Sequence, residues 1–417
     1  MKFSCYVVLI LLFSGRASRA QEAQTIQLQS RITGVQPMTG IVLWNDNDRL
    51  DEYSDAISLE YRYCGYNEVV DAKGNYDFGF VDRILDDIAT RNHQAILRFY
   101  FCYVGQKTTV PDFIRSRPDY EETIGISEKK ETYFCDWSNE ALQSFTLDFY
   151  TRFAARYDGD PRIAFLQTGF GLWAEYHIYS GPREMGKTFP TKDYQSKFLR
   201  HLDQQFGNLP WSISIDAADY DYTPLEDNID LLALQFGVFD DSFLCKPHPK
   251  ENAINWRILD SKRWERQPCG GEFSYYNKRD QKNALRVEGP NGVSFEDAAK
   301  QFHISYMIGN DQPRYQPIDR ILSASLATGY RFRVTAAAIK NEELRLRVTN
   351  DGVAPIYRDA YFSAGGKRSS ASLKGLLPGD SSIYAIPNVE PRDLRSIQIE
   401  SDSILPTQQI QFEANLK

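Results

Sequence analysis

Two glutamates stand in settings that could do chemistry. Glu175 lies in the segment Gly169-Phe170-Gly171-Leu172-Trp173-Ala174-Glu175-Tyr176-His177, and Glu272 in Cys269-Gly270-Gly271-Glu272-Phe273-Ser274-Tyr275-Tyr276. Each follows an apolar run and is flanked by glycines that let the backbone turn and by aromatic residues that can wall a cleft. A pair of carboxyl groups facing one another over a pocket is what cleavage of a glycosidic bond requires: one protonates the leaving oxygen and the other acts at the anomeric carbon. Carboxyls about 5–5.5 Å apart would retain the anomeric configuration, and a gap of about 6.5–9.5 Å would invert it. Trp173, Tyr176, Tyr275 and Tyr276 flank the pair and are the rings expected to stack on the C–H faces of sugars.

A second set of polar residues is expected around this pair. Arg98 lies inside an apolar run, where an unpaired charge is costly, so it is expected either to hold a catalytic carboxylate ionised or to pair with Glu60. Asp216, Asp240, Asp241, His177 and Glu68 complete the candidates for substrate binding. No metal site is expected, because neither HxH nor HExxH spacing occurs. No cofactor is expected either: a GxSxG elbow, a phosphate-binding loop and a dinucleotide fingerprint are all missing, which sets aside esterase, kinase and dehydrogenase chemistry.

Positioning these residues falls to an alternation of short β-like runs with amphipathic helical runs from Gly40 to about Thr328, the pattern of repeated βα units. Eight strands are expected: Ile41 to Trp44, Ile57 to Tyr63, Ala95 to Phe101, Ile163 to Thr168, Trp211 to Ile215, Leu231 to Phe236, Cys269 to Phe273 and Ile304 to Ile308. Between them, apolar stripes such as Val81, Leu85 and Ile88 after Asp77, or Leu142, Phe145, Phe149 and Phe153 after Ser138, read as core-facing helices. The fold class is therefore α/β, a (βα)8 TIM barrel, with the site at the C-terminal ends of its strands. After Gly329 the period changes to two, as in Leu344, Leu346 and Val348, which predicts a small antiparallel β-sandwich. The organisation is a leader at 1–20, a lead-in at 21–39, the barrel at 40–328 and the sandwich at 329–417, the last with a structural role against the barrel.

The leader reads as an export signal: Lys2, an apolar run from Cys5 to Phe13, and a small-residue exit at Ser18-Arg19-Ala20. The mature chain is expected to begin near Gln21, to contain no membrane span and to act in the periplasm or outside the cell. The net charge of −8 at pH 7 becomes more negative once Lys2, Arg16 and Arg19 leave, which argues against a nucleic-acid partner. Oligomeric state is left open. Of six cysteines, Cys64, Cys102, Cys135, Cys245 and Cys269 remain, an odd number without CxxC spacing, and a Cys245–Cys269 disulfide is permitted.

The GLWAEYH and GGE segments resemble strands four and seven of the large clan of retaining (βα)8 glycosidases. Together with LEYRYCGYNEV (Leu59–Val69), LQFGVFDDSF (Leu234–Phe243) and VTNDGVAPIYRD (Val348–Asp359), they resemble an exported bacterial family of unknown function related to the β-galactosidase-like barrels. That resemblance implies Glu175 as acid/base, Glu272 as nucleophile and a carbohydrate substrate. It departs from the clan at Ala174, where the usual residue is an Asn that hydrogen-bonds the sugar 2-OH. The competing expectation is a glycan receptor that keeps the cleft without turnover.

Overall fold

The computed structural model describes residues 24–417 apart from Asp227. The expected leader and its cleavage point lie outside the described residues. No helix among the described residues is long and apolar enough to cross a membrane.

Eight parallel strands close into a barrel in chain order: β1 (Gly40–Trp44), β2 (Leu59–Gly65), β3 (Gln94–Tyr100), β4 (Ile163–Gln167), β5 (Trp211–Ser214), β6 (Gly237–Phe243), β7 (Cys269–Phe273) and β8 (Tyr306–Ile308), with β8 returning to β1. Their alternation is that of a filled barrel. Val42, Ile96, Phe165 and Ile308 point inward, while Ile41, Leu43, Leu97 and Leu166 face the helices, and all are fully buried. The helices form where the apolar stripes predict. Gly79–Thr90 buries Val81, Leu85 and Ile88, with Asp77 Oδ1 accepting from the Gly79 N–H at 2.8 Å. In Glu140–Tyr157 the cap is Asn139 rather than Ser138, its Oδ1 accepting from the Ala141 and Leu142 N–H groups.

The sixth strand differs from expectation. The apolar run at Leu231 to Phe236 belongs to a helical turn, Ile229–Leu232, and the loop after it, and the strand is the more polar Gly237–Phe243. A segment carrying Asp240, Asp241 and Ser242 can be a barrel strand because both faces supply partners: Asp241 points inward to Arg98, and Asp240 outward to the helix Asn252–Ile258. Between β3 and the helix Glu140–Tyr157 the chain also builds a hairpin, Thr123–Ser127 with Lys130–Phe134, that the sequence pattern does not announce.

After the barrel, the chain forms a six-stranded and a three-stranded sheet. Phe332–Lys340 and Glu343–Asn350 pair antiparallel, whereas Glu413–Leu416 runs parallel to Phe332–Lys340, so the larger sheet is mixed rather than purely antiparallel. The lead-in joins this sheet too: Leu28–Ser30 pairs with Glu413–Leu416. One apolar cluster unites the inner faces of both sheets, through Phe332, Leu346, Phe362 and Ile399, with the barrel interior. Arg358, itself buried, donates to the Ile163 carbonyl at 2.7 Å, at the start of β4. These sheets thus seal the end of the barrel opposite the site. All five described cysteines are free; Cys245 Sγ faces Asn252, and the adjacent thiols are Cys102 and Cys135, 3.6 Å apart.

Candidate active site

At the C-terminal ends of the strands lies a cleft of about 660 Å³. Glu175 and Glu272 both line it, Glu272 from β7 itself and Glu175 from the loop after β4.

That loop is folded back on itself. Gly171 N–H donates to the Glu175 carbonyl at 2.8 Å and Leu172 N–H to the His177 carbonyl at 3.1 Å. Trp173 and Ala174 make the turn in the left-handed region, at φ +60° and +55°, a conformation that costs a non-glycine residue about 1–2 kcal/mol. Neighbouring strands pin it: Trp173 N–H donates to the Cys102 carbonyl at 3.0 Å, and Tyr176 N–H to Ser214 Oγ at 2.8 Å. At Gly171 a Cβ would stand 1.8 Å from the His177 carbonyl oxygen, so only glycine permits the close approach. Gly271 has the same duty beside Glu272, where a Cβ would lie 2.1 Å from the Asp240 carbonyl oxygen. The glycines around both glutamates therefore let backbone segments touch.

His177 sits between two carboxylates. Its Nε2 is 2.8 Å from Glu175 Oε2 and its Nδ1 is 3.1 Å from Asp216 Oδ1, Asp216 lying on the short turn after β5. Burial opposes the imidazolium, but Asp216 and Glu175 outweigh it and carry His177 to about 9. Glu175 is raised to about 7 by burial, with His177 pulling it back and Asp216 and Asp241 adding to the rise. These three side chains offer donor atoms within 4.8 Å of one another. They suit a proton better than a metal ion, because the carboxylates face opposite edges of one ring and a cation could take only one of its nitrogens.

Arg98, on β3 and fully buried, is the hub beneath the cleft. Its Nη1 donates to Asp241 Oδ2 at 2.6 Å, to Tyr63 Oη at 3.1 Å and to the Trp173 carbonyl at 3.2 Å, and its Nε donates to Gln167 Oε1 at 2.7 Å. The guanidinium lies 4.1 Å from the Phe239 ring centroid. Glu60, the other expected partner, points out of the barrel to Arg91 and His93, both at 2.8 Å. Asp241, rather than Glu272, takes the Arg98 guanidinium. Burial pushes the Glu272 carboxyl well up, Asp241 adds to this, and Arg98 offsets only part; Glu272 Oε1 has no partner among the described residues. Both glutamates are thus raised, burial being the first cause for each.

The other sequence candidates divide. Trp173, Tyr275 and Tyr276 border the cleft, the two tyrosines 48% and 69% exposed and able to present their rings. Trp173 is held by donating Nε1–H to Tyr179 Oη at 3.0 Å, and Tyr179 in turn donates to Glu128 on the hairpin at 2.7 Å. Tyr176 is fully buried behind the loop, packed on Phe170, and does not border the cleft. Asp240 touches the wall, but its carboxylate is taken by Asn252 at 2.9 Å, Trp256 at 3.3 Å and His248 at 3.2 Å. Glu68 accepts from the Gly65 N–H at 2.6 Å and faces an adjoining pocket. Ala174 is buried and makes no wall of the cleft. Trp44, Tyr63, Tyr103, Glu128 and Asn310 also line the cleft and were missed. Trp44 and Tyr63 sit at or near the C-terminal ends of β1 and β2, a position that could have flagged them; Glu128 lies on the unannounced hairpin.

No protein-family model matches the chain, and no curated protein matches it. Among solved structures, an α-galactosidase from Thermus thermophilus in complex with p-nitrophenyl α-D-galactopyranoside is similar at 15% identity and TM-score 0.37, over 76% of this chain and 66% of that one. A GH30 endoxylanase from Clostridium papyrosolvens is similar at 9% identity and TM-score 0.43, over 88% and 95%. A GH5_18 protein from Streptomyces cattleya in complex with GlcNAc is similar at 10% identity and TM-score 0.46, over 71% and 80%. The chain spans 66% of the Thermus enzyme and 54% of the galactosidase domain of an α-galactosidase–sucrose kinase. What the cleft can do is read from its own side chains.

Proposed function

We propose that this chain is an exported glycoside hydrolase of two-glutamate mechanism acting on an oligo- or polysaccharide. The observation that carries the reading is the Glu175–His177–Asp216 chain opening into the same aromatic-walled cleft as the unpartnered Glu272 oxygen. Glu175, raised to about 7, keeps its proton in part of the molecules at neutral pH and gives it to the leaving oxygen, while the imidazolium of His177 steadies the carboxylate that forms. Glu272 attacks the anomeric carbon in its ionised form, which the positive charge developing on the sugar favours. Water deprotonated by Glu175 then releases the sugar, with net retention.

One observation favours the receptor reading. Burial raises the Glu272 carboxyl and so favours its protonated form, and a protonated carboxyl donates a hydrogen bond to a hydroxyl rather than attacking carbon. Profiling on aryl glycosides and polysaccharides, followed by Glu272→Gly, separates the two. A hydrolase loses turnover in the variant and regains it with added azide, which yields a glycosyl azide, or with formate, whose glycosyl ester hydrolyses; a receptor binds glycans and turns over none of them. Export is tested by N-terminal sequencing of secreted protein, expected to begin near Gln21.

A further inference from the structure

We infer that the active-site cleft continues into a second glycosyl-binding subsite over the ends of β1 to β3, built for a neutral sugar unit; this rests on the hydrolase reading above. A pocket of about 210 Å³ lies there, and Trp44, Tyr63 and Tyr103 line both it and the 660 Å³ cleft. These three rings form a continuous wall. The Tyr63 ring meets Trp44 edge-on at 5.7 Å and Tyr103 at 5.9 Å, and Tyr103 meets Trp173 at 4.0 Å, beside the loop that carries Glu175. A chain of sugars leaving the glutamates along this wall arrives in the smaller pocket.

The smaller pocket has the make-up of a sugar site. Tyr100 stands edge-on to Tyr63 at 5.9 Å and offers a half-buried ring for stacking. Around it stand Asp46, Arg62, Glu68 and Gln106, planar polar groups of the kind that bind vicinal hydroxyls in pairs. Arg62 is spared for this: among the described residues its nearest carboxylate, Asp46, is 3.8 Å away, and its Nε has no partner. Trp44 Nε1 and Asn45 Oδ1, in the same wall, are likewise buried without partners among the described residues. Two carboxylates against one guanidinium disfavour an anionic occupant, so the unit bound is a neutral sugar rather than a uronate.

The test is calorimetric titration of the full mature chain carrying Glu272→Gln with neutral oligosaccharides of one to five units, in cello-, xylo-, manno- and galacto-series, and with oligogalacturonate. In the series that binds, affinity is expected to rise at least about tenfold between one unit and three. Tyr100→Ala and Arg62→Ala should each remove most of that gain. Gln106→Ala, an exposed loop change with little risk to folding, should reduce it. Affinity that does not grow with length, a gain untouched by all three variants, tighter binding of the uronate, or no binding by any series overturns the subsite. Length-dependent binding by a wild-type chain that cleaves none of these sugars would uphold the subsite and refute the hydrolase reading.

Discussion

Gly171→Ala isolates what the loop after β4 does. The added Cβ would stand 1.8 Å from the His177 carbonyl oxygen, against the 3.0 Å below which such contacts essentially do not occur. The obstacle is backbone, so the two arms of the loop must part by about 1.2 Å or more, and a 1 Å misplacement of a catalytic group costs on the order of 100-fold in rate. Parting them also breaks the bonds from Gly171 N–H to Glu175 and from Leu172 N–H to His177. At about 0.5–1.5 kcal/mol each, their loss lowers stability by about 1–3 kcal/mol without unfolding the barrel. Two assays are expected to agree. Hydrolysis of the best aryl glycoside falls about 100-fold, and the His177 imidazole, followed by NMR, stops titrating near 9 and moves back toward its ordinary 6.5 as Glu175 and Asp216 separate from it. Gly159→Ala, where nothing lies within 4 Å, is the control. A Gly171→Ala protein that keeps activity within about threefold of the control, with His177 still titrating near 9, would show that loop geometry does not position Glu175.

Three further outcomes follow from the same site. Glu175 acts as an acid only while protonated, so kcat/KM on substrates with poor leaving groups should fall as pH rises through about 7, and Glu175→Gln should remove that limb while sparing activated aryl substrates more; a wild-type profile flat from about pH 6 to 8.5 contradicts this. Arg98→Met leaves Asp241 buried without its counter-charge, so urea unfolding at neutral pH should show a loss of about 3–5 kcal/mol. With the guanidinium gone, the Asp241 carboxyl rises further in the folded state, so this penalty should shrink toward acid, where protonation removes the buried charge. Chelation by EDTA should leave activity unchanged, because His177 gives one nitrogen to each carboxylate; loss restored by a divalent ion would reassign these residues as a metal centre.

How much of this was legible in the sequence depends on whether a residue's partner lies near it in the chain. The barrel was readable because most βα units announce themselves locally, by an apolar run, a cap and a stripe. Both glutamates were readable for the same reason: the glycines that let backbone segments touch, Gly171 and Gly271, stand within a few residues of Glu175 and Glu272. The sixth strand was not. Asp240 and Asp241 make Gly237–Phe243 look like a loop until Arg98, far upstream, and Asn252, on the next helix, arrive to satisfy them. The charge balance of the site failed with it. Arg98 was correctly suspected of pairing, but whether it serves Glu60, a catalytic glutamate or Asp241 is fixed by which side chains the barrel turns inward, and that turns on the register of β6. A slip of one residue there would send Asp240 to Arg98 and Asp241 to the helix, so the register of one strand decides which aspartate meets the guanidinium beneath the cleft.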